Sequence, residues 1–268
     1  MLYLKNALLS CRDNAFLNAL PHLEELTPHS LICLVGDDAS NTPARIHTLP
    51  NLRRLNLAAH KVTNAHLKCL ADLHAWQHMT NLQQLRTLVF SQKRYACEYD
   101  DQSRADCINV LTQNTYLNTL NLNGHPIGPT VADALANKYH LRILHLGRCR
   151  LGDDGFQKIP LLNLEELDVS TNELTAQSVQ HLCHTLRQVD TPHLRYLNLQ
   201  SNVLGDDVML DLANLTFLKE LFLNGTQMTE QGARHLAPLV LKLHKHDCEE
   251  FAFIFIQQHH SLGQDATH

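Results

Sequence analysis

The chain has 268 residues, 44% hydrophobic and 18% charged, with 51 leucines, roughly one residue in five. That apolar share excludes a disordered chain, and 10 Gly and 9 Pro exclude collagen-like and proline-rich classes. A formal charge of −5 offers no broad basic field for nucleic acid, and no apolar run reaches the ~18 residues of a membrane helix.

The N-terminus, Met1 to Ser10, lacks a charged segment followed by a long apolar one, so no conventional signal peptide is expected. Residues 1–50 read as an N-terminal cap that carries a degenerate repeat. Leu23-Glu-Glu-Leu26 parallels Leu164-Glu-Glu-Leu167, each preceded by a Phe-led stretch, which starts a repeat at Leu23. The run Ser30-Leu-Ile-Cys-Leu-Val35, beginning its strand at Leu31, serves equally well, and the register stays open. Leu20-Pro21 lacks the hydrophobic and Trp pattern that follows in an F-box.

From residue 51 the chain repeats itself. The hexamer L-x-x-L-x-L occurs at Leu52-Arg-Arg-Leu55-Asn-Leu57, Leu85-Arg-Thr-Leu88-Val-Phe90, Leu117-Asn-Thr-Leu120-Asn-Leu122 and Leu141-Arg-Ile-Leu144-His-Leu146. It continues at Leu164-Glu-Glu-Leu167-Asp-Val169, Leu194-Arg-Tyr-Leu197-Asn-Leu199 and Leu218-Lys-Glu-Leu221-Phe-Leu223. Three residues past each hexamer lies a slot that favours Asn or Cys: His60, Lys93, His125, Cys149, Asn172, Asn202 and Thr226. An apolar residue follows two places on, from Val62 through Met228.

The centre of each hexamer alternates as a short strand does, with leucine on the buried side. An Asn or Cys in the slot can hydrogen-bond the backbone of a tight bend. One repeat cannot bury its leucine face alone, whereas stacked repeats share a continuous core. After the bend, segments led by Gly152-Asp-Asp and Gly205-Asp-Asp enter short helices. Residues 175–187 carry Val179, Leu182, Cys183 and Leu186 at helical spacing, and residues 229–236 read the same way.

This pattern resembles the leucine-rich repeat (LRR) family over about Leu52 to Leu239, and its helices resemble the ribonuclease-inhibitor-like subclass. The resemblance implies an α/β fold. It is a curved, right-handed β-α solenoid with a parallel sheet on the concave face and helices on the convex face. Offsets between hexamers run from 23 to 33 residues, so uneven curvature is expected. The repeats span 51–240, and 241–268 form a C-terminal cap and flexible tail.

Two inter-strand segments are long. Thr63 to Met79 reads as an amphipathic helix. Residues 93–102 form a polar loop with two Tyr, followed by a helix over 103–111. At the far end, Pro238-Leu-Val-Leu-Lys-Leu243 finishes a last repeat or cap. Phe251-Ala-Phe-Ile-Phe-Ile256 is the most β-prone run and can cover the open sheet edge.

No phosphate-binding, dinucleotide or hydrolase motif is present. The 8 Cys are scattered without a C-x-x-C pair and read as reduced thiols. Cys69, Cys107 and Cys183 face the leucine core from helices, Cys149 fills a bend slot, and Cys97 lies in an irregular loop. Most of the 19 His sit on helices or at strand ends, among them His66, His74, His78, His181 and His235. The densest ligand-type cluster, His244, His246, Cys248 and Glu249, lacks a well-spaced second pair for zinc. No catalytic residue, metal or cofactor is expected.

The third, fifth and seventh positions of each strand face outward and stack into columns. The third column is Arg54, Thr87, Thr119, Ile143, Glu166, Tyr196, Glu220. The fifth is Asn56, Val89, Asn121, His145, Asp168, Asn198, Phe222. The seventh is Ala58, Ser91, Asn123, Gly147, Ser170, Gln200, Asn224. Apart from His145, Arg54 is the only basic side chain in them. The expected partner-binding residues are Asn121, His145, Glu166, Asp168, Tyr196, Asn198, Gln200, Glu220, Phe222 and Asn224. Two aromatic anchors beside three acids fit a protein partner with a basic or mixed surface. A monomer that binds no nucleic acid and does not insert into a membrane is expected.

Uneven repeats of this kind also resemble those of bacterial type IV secreted LRR effectors. That resemblance implies a non-enzymatic module that binds a host protein. It would reside in the bacterial cytoplasm before secretion and then in the host cell cytosol, with Glu249-Glu250 and the polar tail as a delivery signal. The alternatives are a cytoplasmic scaffold or inhibitor, or a substrate-recruiting subunit of a ubiquitin ligase.

Overall fold

The structure, a computed structural model, describes residues 2–7, 22–28, 51–56, 85–89, 105, 108–109 and 112–244. Each hexamer centre becomes a strand: β3 Arg54–Asn56, β4 Thr87–Val89, β5 Thr119–Asn121, β6 Ile143–His145, β7 Glu166–Asp168, β8 Tyr196–Asn198 and β9 Glu220–Phe222. Two more precede them, β1 Leu2–Ala7 and β2 Leu23–Pro28. All nine lie in one sheet in chain order, each parallel to the next.

The register is that of the leucines. Leu26, Leu55, Leu88, Leu120, Leu144, Leu167, Leu197 and Leu221 are successive cross-strand partners. They and the hexamer-opening leucines from Leu23 to Leu218 are all buried, none more than 3% exposed. Burying each such side chain contributes ~1.5–3 kcal/mol, which holds a three-residue strand too short to persist alone.

β2 fixes the open register of the first repeat at Leu23, because Glu25 pairs with Arg54 and Leu26 with Leu55. β1 was not anticipated from the sequence. Its Leu4 pairs with Leu26, so the sheet extends one strand before the degenerate repeat. The residues from Ser30 to Val35 lie outside the described residues.

The bend slot behaves as its residue types predict. Asn172 is fully buried; its Oδ1 accepts from the backbone N–H of Cys149 (2.9 Å) and Leu151 (3.2 Å), and its Nδ2 donates to the carbonyl of Leu146 (2.7 Å). Asn202 repeats this one coil on, accepting from Asn172 and Leu174 and donating to Val169. These two Asn side chains therefore each tie their bend to the one before it. Residues flanking the slot take left-handed backbone: Arg148 and Arg150 about Cys149, Thr171 and Glu173 about Asn172, Gly225 and Gln227 about Thr226. The non-glycine residues there carry a penalty of ~1–2 kcal/mol each, which the buried Asn bonds offset.

Helices α1 Gly128–Ala132, α2 Gly152–Phe156, α3 Ala176–Arg187, α4 Met209–Ala213 and α5 Glu230–His244 fill the return segments. They pack on one another in chain order as a second layer behind the sheet. Thr175 caps α3, its hydroxyl accepting from the N–H of Gln177. α4 starts later than Gly205, at Met209; Gly205 has φ +66°, and the Asp206 carboxylate accepts from Thr229. Residues 238–243 are neither strand nor separate cap. They continue α5, which runs through Pro238 and across the 240/241 boundary. In the expected helix over 103–111, the described residues Ala105, Ile108 and Asn109 are helical. The Thr63–Met79 helix, the 93–102 loop and the Phe251–Ile256 run lie outside the described residues.

Candidate protein-binding face

Strands this short expose one face of each pleat, and parallel register stacks like positions in rows. Glu166, Tyr196 and Glu220 are successive partners in one row, and Asp168, Asn198 and Phe222 in the next. The Tyr196 and Phe222 rings meet diagonally, with centroids 5.1 Å apart and planes tilted by 44°. Both are half-buried, so each keeps a free edge. Burial raises the Tyr196 phenol above its ordinary value, and the negative charges of Asp168, Glu220 and Glu166 push the same way against a hydrogen bond from Asn198. An aromatic pair ringed by carboxylates can receive an apolar side chain beside a cation.

The Asn-rich column is less free than its composition implies. Asn121, Asp168 and Asn198 each turn an Oδ1 onto the backbone N–H two residues ahead: Asn123 (3.0 Å), Ser170 (3.0 Å) and Gln200 (3.1 Å). These Asx contacts hold the strand exits. In the repeat with His145 at this position, Asn123 of the previous coil bonds the N–H of Gly147 instead, at 2.6 Å. Of these groups the second oxygen of Asp168 remains for a partner, while the Asn198 side chain also bonds the Tyr196 phenol. Asn224 Oδ1 is buried with no protein donor. His145 lies between Asn121, 3.4 Å from Nδ1 to Nδ2, and Glu166, 3.7 Å from Nε2 to Oε2. Residues of β7–β9 thus form one cluster, while Asn121 and His145 sit on strands β5 and β6 beside it.

A second feature was missed. The residue at hexamer position two precedes each strand and still takes part in the backbone ladder: Arg86 N–H donates to Arg53 O, Arg142 to Asn118, Arg195 to Glu165 and Lys219 to Arg195. Counting only alternate positions left this row out. The repeated L-R or L-K of the hexamers was its visible signal. At the N-terminal end, Arg53, Arg54 and Arg86 line a recess of about 400 Å³ with Glu24, Glu25 and Asn118.

Other candidate chemistry does not assemble. Cys149 and Cys183 are buried thiols outside any disulfide, and burial with the nearby Asp211 pushes the Cys183 thiol up to about 12 against Arg187. That thiol is a packing group. His181 and His235 lie in α3 and α5. Cys69, Cys97, Cys107, His66, His74, His78 and, apart from His244 at the end of α5, the cluster around Cys248 fall outside the described residues. Among the described residues no group of His, Cys, Asp or Glu is placed to hold a metal ion, and no helix is long and apolar enough to cross a membrane.

The family model described as Leucine Rich repeat matches residues 113–136, 139–159 and 192–213. The ribonuclease inhibitor of Sus scrofa is 35% identical over 118 residues, 40% of this chain and 25% of that protein. The chain thus spans a quarter of the length of the curated relative it matches. A crystal structure of an internalin from Listeria monocytogenes superposes with a TM-score of 0.53 at 20% identity, covering 88% of this chain and 64% of that one. With nine strands in leucine register among the described residues and bends tied by Asn172 and Asn202, the chain carries leucine-rich repeats, folds as a leucine-rich-repeat solenoid and is similar over part of its length to ribonuclease inhibitor.

Proposed function

We propose that this solenoid is a non-enzymatic protein-binding module whose concave sheet face grips a partner through β7–β9. The observation that carries this reading is the Tyr196–Phe222 pair, 5.1 Å between centroids, set among Glu166, Asp168 and Glu220. Aromatic anchors inside a charged rim concentrate binding energy, and the acids select a segment with Lys or Arg. The repeats themselves support a binding role, since stacked coils offer an extended concave surface.

The partner in this reading is a host protein and the chain a bacterial effector, made in the bacterial cytoplasm and acting in the host cytosol. Support comes from the uneven repeat lengths and from the acidic pair Glu249-Glu250 ahead of a polar tail. The second reading is a cytoplasmic inhibitor or scaffold, favoured by the identity to a protein named for inhibiting a ribonuclease. A substrate-recruiting subunit of a ubiquitin ligase is the third, and it would need residues 1–50 to bind the ligase scaffold.

The test is capture from host-cell lysate with wild type and with Tyr196→Ala/Phe222→Ala. The double variant should keep its circular dichroism and thermal midpoint and lose the captured protein. Undiminished capture sinks this use of the face.

A further inference from the structure

Position two of the hexamer carries a basic residue in most repeats, but the structure uses it in two ways. In the C-terminal repeats the guanidinium is tied to the protein. Arg142 Nη1 donates to the Asn163 carbonyl at 3.2 Å, and Arg195 Nη1 donates to the carbonyls of Pro192 (2.9 Å) and Leu194 (3.0 Å). In the N-terminal repeats, Arg53 and Arg86, with Arg54 beside them, make no side-chain hydrogen bond and no ion pair with any described residue. They are exposed and face one recess of about 400 Å³. Glu24 and Glu25 border the same recess on β2 yet form no ion pair with them.

We propose that this recess is an anion subsite for the carboxylate side chains of an acidic peptide segment. Guanidinium forks match a carboxylate in a bidentate way, and forks from two neighbouring strands can hold successive acidic side chains. Adjacent strands are ~4.8 Å apart, within the reach of an extended peptide crossing the sheet. The bordering glutamates repel any anion, but a peptide whose carboxylates are spaced along the chain can present its backbone N–H groups to Glu24 and Glu25, which a continuous phosphate backbone cannot. Asn118 and Thr119 add polar contacts at the far wall.

This deepens the reading of the concave face and rests on it. The recess lies over β2–β5 and the aromatic, acidic cluster over β7–β9, at opposite ends of the described repeats. From β3 to β8 the separation is roughly 24 Å at five strand spacings. The partner would therefore carry an acidic segment at one end of its contact and a basic one at the other, which sets its direction across the solenoid.

The experiment titrates a fluorescein-labelled octapeptide of alternating Asp and Glu into the full chain at low salt. Parallel arms use an alternating Lys and Ser octapeptide and a uridine decamer. The acidic peptide should bind, weaken tenfold or more in Arg53→Gln/Arg86→Gln, and be unaffected by Tyr196→Ala/Phe222→Ala. Glu24→Gln/Glu25→Gln should tighten it, which tests the site without removing an arginine. Failure of the acidic peptide to bind, equal binding by the arginine variant, or tighter binding of the uridine decamer would each overturn the proposal. Loss of lysate capture in the Tyr196/Phe222 variant reports on the wider reading separately, because that variant leaves the recess intact.

Discussion

Asp153 and Thr175 belong to successive repeats, and one carboxylate clamps the two together. Asp153 Oδ1 accepts the backbone N–H of Thr175 at 2.9 Å and Oδ2 its hydroxyl at 2.6 Å, with Ser178 Oγ donating to Oδ1 as well. Asp206 does the same to Thr229 one clear pair of coils later. The carboxylate of one coil's Gly-Asp-Asp segment thus fixes the N-terminus of the next coil's helix, where a negative charge is also favoured by the helix dipole.

The clamp makes stability depend on acid. Burial alone would raise the Asp153 pKa, but the hydrogen bonds from Ser178 and Thr175 prevail and lower it from 3.8; for Asp206 the bonds from Thr229 lower it outright. A carboxylate with a depressed folded-state pKa contributes stability that is full above its unfolded value and lost as pH falls below it. The urea midpoint of wild type should therefore drop between pH 6 and about pH 3. In Asp153→Asn/Asp206→Asn that drop should be smaller, with a lower midpoint at pH 6. An unchanged pH profile would refute the clamp.

Asn172→Ala should destabilise by about 3 kcal/mol in urea unfolding. The substitution leaves the N–H groups of Cys149 and Leu151 and the Leu146 carbonyl buried without partners. The loss should exceed that of any single exposed concave substitution, such as Glu220→Gln.

Arg148→Gly should stabilise by about 1 kcal/mol, since this exposed residue holds φ +60°. Thermal unfolding measures it. A matching gain at Arg150, with φ +54°, would show that the strain is a property of the bend rather than of one side chain.

The Tyr196 phenol should titrate above its ordinary 10.0, followed by phenolate absorbance as the difference from Tyr196→Phe. Burial remains in Asp168→Asn/Glu220→Gln, but two negative charges go. Phenolate formation becomes easier, and the titration should move to lower pH.

If the proposed effector reading holds, removing residues 249–268 blocks delivery into host cells while leaving thermal unfolding of the repeats unaltered. Delivery at the wild-type level would set the effector reading aside in favour of a cytoplasmic inhibitor or scaffold.

Much of the fold was legible because leucine register is a local, repeated signal. Leu55, Leu88, Leu120, Leu144, Leu167, Leu197 and Leu221 could be aligned by eye, and each is the cross-strand partner of the next. The slot residues were legible too, since a buried Asn beside backbone groups has one sensible use. The rows Glu166–Tyr196–Glu220 and Asp168–Asn198–Phe222 followed from the same register.

What the sequence could not decide depended on distances between coils. Leu23 and Leu31 offer equal local patterns, and only pairing with Arg54–Asn56 selects Leu23. That Asn121, Asp168 and Asn198 face their own backbone, and that Arg142 and Arg195 are tied to nearby carbonyls, is set by which carbonyls and N–H groups the fold brings within 3 Å or so. Periodic hydrophobicity chooses the side of the sheet on which a residue lies. The stacking of coils then determines what each polar group can reach, because a hydrogen bond needs a partner within a fraction of an ångström and sequence spacing does not supply that.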